Sequence, residues 1–257
     1  LPCAPICLSA DCSAKLYARA VVHAVMYNLQ HMRPYLDMNV SRPGCWAYPD
    51  MLQVEPTAPP SHSNHPTTRH CAVQVGIKLS TAESRTHFAA WCVVSAPLIL
   101  GFDMANETLR RELLPIVTNA RAVRVNQAWA GHAGRIVAES NSTFQGVTHH
   151  GAEDVPDPVR YPYPFWQLWA KPLPEGSAAA LLINLHDEPL PSPVRVTPQD
   201  LGLASGAPLC VTDVWSGVRW TLPAGDALEL PRAGDPPLEA HASSFVTLTP
   251  SGTCPDS

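Results

Sequence analysis

Apolar positions fall into two regimes along this chain. In the first half they step like helices with short strands between them. Val21, Val25, Leu29 and Met32 follow at intervals of four, four and three, one stripe of a helix over residues 13–32 that Arg33-Pro34 should end. Ser80-Thr81-Ala82-Glu83 is a capping box, so a second helix is predicted from near Thr81 to about Ser95. Residues 44–54, with the apolar pair Leu52 and Val54, read as a strand with its turn. The run PLILGFD, 97–103, reads as a buried strand with polar groups at its C-terminal end. Asn106 can cap a third helix through ETLRRELLPIV, which Pro115 should end or kink, and VRVNQ at 123–127 reads as a strand. This alternation predicts α/β organisation with parallel strands.

After Gly134 the pattern changes. FWQLWAKPL, AAALLINLH, SPVRVTP, LCVTDVW, RWTLP, ALELP and SFVTLTP are short runs rich in strand-forming residues, separated by Pro, Gly, Asp and Ser. They predict a small all-β sandwich or open barrel of about seven or eight strands. Two domains follow, residues 1–134 and 135–257. Residues 55–74 are rich in Pro, Ser, Thr and His and read as an exposed loop. Trp166, Trp169, Trp215 and Trp220 are expected in the sandwich core, and Arg121 and Arg124 are expected to face solvent.

Composition narrows the function. The 257 residues carry 46% hydrophobic and only 15% charged side chains, with a net charge of −5 and no cluster of Lys or Arg. Nucleic acid and anionic membranes are therefore poor partners, and no apolar run is long enough to span a bilayer. The 8 cysteines, at 3, 7, 12, 45, 71, 92, 210 and 254, lack the paired spacing of a zinc site, and their even number suits disulfides in an oxidising compartment. His62, His65, His70 and Cys71 are irregularly spaced in the proline-rich stretch and read as a solvated loop, as does His149-His150; no metal or other cofactor is expected. Asn39-Val-Ser41, Asn106-Glu-Thr108 and Asn141-Ser-Thr143 are glycosylation sequons. Together these point to the secretory pathway, as a secreted, lysosomal or vacuolar protein. The start, LPCAPICLSADC, has neither Met nor the basic and apolar regions of a leader, so the chain is expected to begin after processing or inside something larger.

Four separated segments then stand out in order: LSTAESRTHFAAWCVVSAPLILGFDM (79–104), VRVNQAWAGHAGRIV (123–137), QLWAKPLPEGSAAALLINLHDE (167–188) and VTDVWSG (211–217). Over about residues 8–250 the chain resembles the α-galactosidase (melibiase) family, glycoside hydrolase family 27. The resemblance implies a (β/α)8 barrel followed by an antiparallel β domain, with this chain holding about strands 6–8 of the barrel. It implies a retaining hydrolase of terminal α-galactosides, whose chemistry uses two carboxylates about 5 Å apart. LSADC, 8–12, looks like the end of the sixth strand, which makes Asp11 the candidate acid/base; four residues earlier the family has Arg and this chain has Cys7. The family motif Trp-Asn-Asp-Pro-Asp-Met is here Trp46-Ala47-Tyr48-Pro49-Asp50-Met51, so Trp46, Asp50 and Met51 become candidate substrate contacts while the family's Asn and first Asp are lost. The motif is placed at the seventh strand, 44–52, and Asp103 at the end of the eighth. The nucleophile has no counterpart.

Each candidate also has a plainer role. Asp11 can cap the helix at 13–32, Asp50 can bond its own loop, Asp103 can cap the following helix, and Trp46 can be core. Two or three barrel strands cannot close. Two functions follow. One is part of an α-galactosidase-like enzyme, completed by the missing N-terminal barrel half or by a second chain. The other is a non-catalytic carbohydrate-binding or structural subunit derived from the same fold.

Overall fold

The computed structural model describes residues 25–38, 40–49, 52–53, 79–148, 159–204, 206–250 and 254. A helix α1 covers 25–30, in which Val25 and Leu29 of the predicted stripe are buried together with Met26, Tyr27 and Asn28; residues 31–32 are a turn, and the part of the helix expected over 13–24 lies outside the described residues. Arg33–Tyr35 forms a 3-10 turn with Pro34 at its start, so the proline opens a new turn, a position where its missing N–H costs nothing. The strands near 50 and 100 are shorter than predicted. β1 (Leu52–Gln53) pairs in parallel with β2 (Leu100–Gly101), registering Leu52 on Leu100.

Helix α2 spans Thr81–Val93, and the capping box forms as read: Glu83 N–H donates to Ser80 Oγ at 3.2 Å and Ser80 N–H to Glu83 Oε2 at 2.6 Å. From Phe88 to Val93 every residue is buried, because protein surrounds the helix on all sides. Helix α3 (Glu107–Val117) is capped by Asn106 but runs two residues past Pro115. Pro115 is exposed, so water can serve the carbonyl that its missing N–H would have bonded. The strand expected at VRVNQ is instead helix α4 (Ala120–Gln127). Asn119 overrides the Val alternation: its Oδ1 accepts from Arg121 and Ala122 N–H, and Ala122 and Val125 share the buried face.

Beyond α4 the chain is strand: β3 (Arg135–Glu139), β4 (Thr143–Thr148), β5 (Val159–Pro164), β6 (Trp166–Leu173), β7 (Ser177–Asn184), β8 (Val194–Val196), β9 (Leu209–Asp213), β10 (Arg219–Leu222), β11 (Leu228–Leu230) and β12 (Ser243–Pro250). All seven predicted runs are strands; β3, β4 and β5 complete the set. An antiparallel sheet has the order β10-β9-β12-β7-β6-β3, with β4-β5 and β8-β11 as separate pairs.

Both faces of the six-stranded sheet are buried, which is why β7 reads as an unbroken apolar run. Ala179, Leu181 and Ile183 join Trp169, Phe245 and Val214 against α2, α3 and α4. Ala178, Ala180 and Leu182 face the other way, onto Val196, Leu228 and Leu230 of the β8-β11 pair. Trp169 and Trp215 therefore sit in the layer between helices and sheet, whereas Trp166 and Trp220 pack on the sandwich side. A disulfide joins Cys210 of β9 to Cys254, 44 residues on, and Cys45 is also disulfide-bonded.

Polar contacts tie the helical part to the sandwich. Arg33 forms a bidentate pair with Glu139 (2.7 and 2.9 Å), and Gln30 exchanges bonds with Gln167 at 2.9 Å. Arg121, expected in solvent, turns inward and donates to the carbonyls of Val214 (2.8 Å) and Trp215 (3.1 Å). Gly217 covers its guanidinium with φ +80°; a Cβ there would stand 3.0 Å from Arg121 Cζ. Lys171 of β6 is fully buried, and its Nζ donates to the carbonyls of Val125 and Asn126 in the last turn of α4.

Candidate functional site

Four expected site positions, Asp11, Asn39, Asp50 and Met51, lie outside the described residues, as do His62, His65, His70, Cys71 and His149-His150. The remaining positions can be placed. Trp46 is half-buried and meets Trp129 edge-on, with ring centroids 5.3 Å apart. Trp129 follows α4, so this pair joins the motif to the passage leading into the sandwich. The sequence alone gave Trp129 no role, because the two rings are 83 residues apart and share no pattern.

Ala47 and Tyr48 occupy positions where the motif resembled has polar residues. Ala47 is buried, with its N–H donating to Ser41 Oγ at 3.2 Å, and Tyr48 packs partly against the main core. The two substitutions thus fit an apolar setting without leaving a buried side-chain donor or acceptor at position 47. The motif residues 46–49 precede β1, so the strand begins later than the 44–52 expected.

Asp103 does not cap α3, a role that Asn106 takes. Asp103 Oδ1 accepts from Ala105 N–H at 2.8 Å and its carbonyl from Asn106 N–H at 3.1 Å, a side-chain turn that leads into α3. Asn106 caps α3 through Oδ1, which accepts from Leu109 N–H at 3.2 Å, and Asn141 is exposed between β3 and β4.

The β1-β2 pair is open. Among the described residues β2 pairs with β1 alone, and Ile99, Leu100 and Met104 beside it are 46%, 40% and 47% exposed. Among the described residues this is an apolar edge strand, the kind of edge that a further strand can pair with.

Burial shifts three titratable groups beside the main core. His87 on α2 packs edge-on against Trp91 with ring centroids 4.2 Å apart, and burial pushes it down to about 3, so it is neutral. Burial pushes the Lys171 ammonium down to about 8, and raises the neighbouring Cys92 thiol. Among the described residues no three His, Cys, Asp or Glu side chains converge as a metal site, and no helix is long and apolar enough to cross a membrane.

Comparison with known proteins gives a consistent picture. Residues 165–247 match the α-galactosidase C-terminal β-sandwich domain. The chain is 25% identical over 209 residues to an α-galactosidase of Cyamopsis tetragonoloba, covering 81% of this chain and 38% of that protein. It is 30% identical over 115 residues to an α-N-acetylgalactosaminidase of Rattus norvegicus, covering 45% of this chain and 22% of that one. In structure it resembles α-galactosidase I of Mortierella vinacea, with a TM-score of 0.58 and 17% identity over 90% of this chain and 45% of that chain. A family 27 β-L-arabinopyranosidase of Geobacillus stearothermophilus aligns with the same TM-score, 18% identity, and 92% and 43% coverage. The chain spans less than half the length of each of these relatives.

Proposed function

The chain belongs to the α-galactosidase family, corresponding to its C-terminal part, and on that premise we propose that it works as the acid/base-bearing part of a retaining glycoside hydrolase for terminal α-galactosyl residues. Asp11 protonates the leaving oxygen and then activates water, while a carboxylate from a further barrel segment attacks the anomeric carbon. Trp46, Asp50 and Met51 border the sugar. That segment is the N-terminal barrel half, in the same polypeptide or in a second chain.

One observation carries this reading: among the described residues β2 pairs with β1 alone, and Ile99, Leu100 and Met104 are exposed beside it. Parallel strands are stable when covered on both faces and closed into a sheet, and a barrel closes only with its full set of strands. The disulfides of Cys210 and Cys45 and the exposed Asn141 sequon support passage through the secretory pathway, with glycans on Asn141 and at the other two sequons, Asn39 and Asn106.

The test is chemical. In the native-length protein, Asp11→Asn should lower turnover of an alkyl α-galactoside about 10²–10⁴-fold, the usual worth of a positioned acid/base. An activated aryl galactoside should still load the nucleophile, and azide should then restore turnover and yield the α-galactosyl azide. Unchanged turnover in Asp11→Asn would remove Asp11 from the mechanism. Parallel assays on α-N-acetylgalactosaminides and β-L-arabinopyranosides would fix the sugar.

A second reading rests on Ala47 and Tyr48. Burying an apolar residue where the family's motif has a polar one favours a subunit that keeps the frame and binds carbohydrate without cleaving it. Galactose binding by the native-length wild type, with no turnover of any of the three glycosides, would select it.

A further inference from the structure

Three aromatic rings meet where β4, β6 and the loop after β7 come together. Phe165, at the junction of β5 and β6, stacks on His186 of that loop, with ring centroids 4.2 Å apart and planes 22° from parallel. Phe144 of β4 meets both, 6.1 Å from Phe165 at 72° and 5.1 Å from His186 at 87°. All three residues are half-buried. Backbone bonds anchor the patch. The Phe165 carbonyl accepts from Leu185 N–H at 2.9 Å. Asn184, fully buried at the end of β7, accepts at Oδ1 from His186 N–H and donates through Nδ2 to the carbonyls of Glu188, Leu238 and Glu239, so one amide fastens the loops at 186–188 and 238–239. Glu188 N–H donates to His186 Nδ1 at 3.2 Å, which leaves Nε2 as the nitrogen that carries hydrogen.

The turn between β3 and β4 is pinned beside this patch. Ser140 N–H donates to the Trp166 carbonyl at 3.0 Å, and Phe165 N–H donates to the Ser142 carbonyl at 3.1 Å. Between those two bonds stands Asn141, exposed, the acceptor of the sequon Asn141-Ser142-Thr143. It therefore lies about one strand spacing from Phe165, roughly 5 Å. That is about the breadth of a single pyranose ring.

We infer that the aromatic patch seats the glycan of Asn141, whose first N-acetylglucosamine folds back onto the rings of Phe144, Phe165 and His186. This rests on the secretory reading above, in which that sequon is glycosylated. The chemistry of sugar and patch is complementary. A pyranose presents a face of C–H groups, each polarised by a neighbouring oxygen, and the face of an aromatic ring carries the negative part of its quadrupole. His186 Nε2–H adds a donor for a sugar hydroxyl or the acetamido oxygen. Tethering selects the attached glycan over a free saccharide as the occupant. One sugar on one aromatic patch binds weakly from solution, whereas a sugar linked to the Asn141 amide is held at the millimolar effective concentration of a short linker. Seating it covers apolar ring surface and joins the β3–β4 turn to the loop after β7, so the glycan stabilises the fold.

The experiment uses the native-length protein secreted from a host that adds N-linked glycans. Glycopeptide mass spectrometry first reads occupancy at Asn141. Unfolding equilibria are then compared for wild type, Asn141→Gln, Phe165→Ala and the double variant. Asn141→Gln should lower the folded-to-unfolded ratio about fivefold in the wild-type background and leave it unchanged in the Phe165→Ala background, a coupling of the size expected for groups in contact. In NMR of the wild-type glycoprotein, the ring protons and N-acetyl methyl of the first sugar should be moved upfield by the aromatic ring currents. An occupied Asn141 with equal losses in the two backgrounds, or with sugar signals at the positions they take on the unfolded chain, would overturn the inference and leave the secretory reading standing. An unoccupied Asn141 would overturn both the assignment of a glycan there and the inference. If Phe165→Ala does not fold, the sugar signals of wild type still decide.

Discussion

Replacing Lys171 by Met tests how the helical part is fixed to the sandwich. The side chains have similar length, so packing in the layer of Trp169 is kept while the ammonium goes. Two effects oppose. Burial moves the ammonium from its ordinary 10.5 down to about 8, and that interval corresponds to a penalty of about 3 kcal/mol for carrying the charge. Against it stand two charge-assisted hydrogen bonds to the carbonyls of Val125 and Asn126, worth about 1.5–3 kcal/mol each, plus about 1 kcal/mol for a cation at the end of α4. Met relieves the penalty and strands two buried carbonyls, so the net loss at pH 7 is about 2 kcal/mol. The pH dependence is the sharper readout. Lys171's folded value is depressed, so between about pH 8 and the ordinary 10.5 the unfolded chain binds more protons than the folded one. Stability of wild type relative to Lys171→Met should rise through that window by up to about 3 kcal/mol and fall back as pH drops through about 8. Urea titrations followed by tryptophan fluorescence at pH 7, 8, 9 and 10 measure it. Identical pH slopes for the two proteins, with no loss at pH 7, would refute the reasoning.

Three further outcomes follow from the geometry. Gly134→Ala should destabilise by about 1–3 kcal/mol, because the new Cβ would overlap Val93 Cγ1 and stand 2.6 Å from the Val93 carbonyl oxygen that Gly134 N–H now bonds; thermal denaturation reads it. Cys254→Ala should cost about 4 kcal/mol through the freed 44-residue loop, and mild reductant on wild type should approach the same drop in urea midpoint. Asn184→Ala should cost about 2–4 kcal/mol and speed hydrogen exchange in 186–188 and 238–242, since it removes the amide that fastens both loops.

The parts of the fold legible in the sequence are those with strong local chemistry. The Ser80/Glu83 box and the Asn106 cap fix helix starts, and the seven runs after Gly134 are each bounded by turn residues. What escapes is decided by tertiary neighbours. Val123 and Val125 alternate like a strand, yet Asn119 caps them into a helix that α2 and Lys171 hold in place. Pro115 reads as a stop, but it sits near an exposed helix end, where water can serve the carbonyl that its missing N–H leaves. Arg121 reads as a surface residue because nothing in its neighbourhood announces the carbonyls of Val214 and Trp215, more than 90 residues away.

The resemblance is legible for a related reason. Its segments hold the residues that knit the two parts together: Asn126, which donates to the Ala96 carbonyl at 2.8 Å, Lys171, and Gly217 over Arg121. They carry the fold strongly and the chemistry weakly. Of the positions that would carry chemistry, Trp46 is described and pairs with Trp129, and Asp103 serves a turn. The Phe144-Phe165-His186 cluster has no sequence signature, because it joins rings from β4, the β5–β6 junction and the loop after β7.

The most direct test of the central claim is the mass of the native species that carries this sequence, taken from its source with and without reductant. Completion of the barrel predicts these residues within, or disulfide-linked to, a polypeptide assembly more than twice their length, in keeping with the share of the relatives that they span. A native species with the mass of these 257 residues plus glycans, and nothing joined to it, would contradict the claim and leave the binding or structural reading in its place.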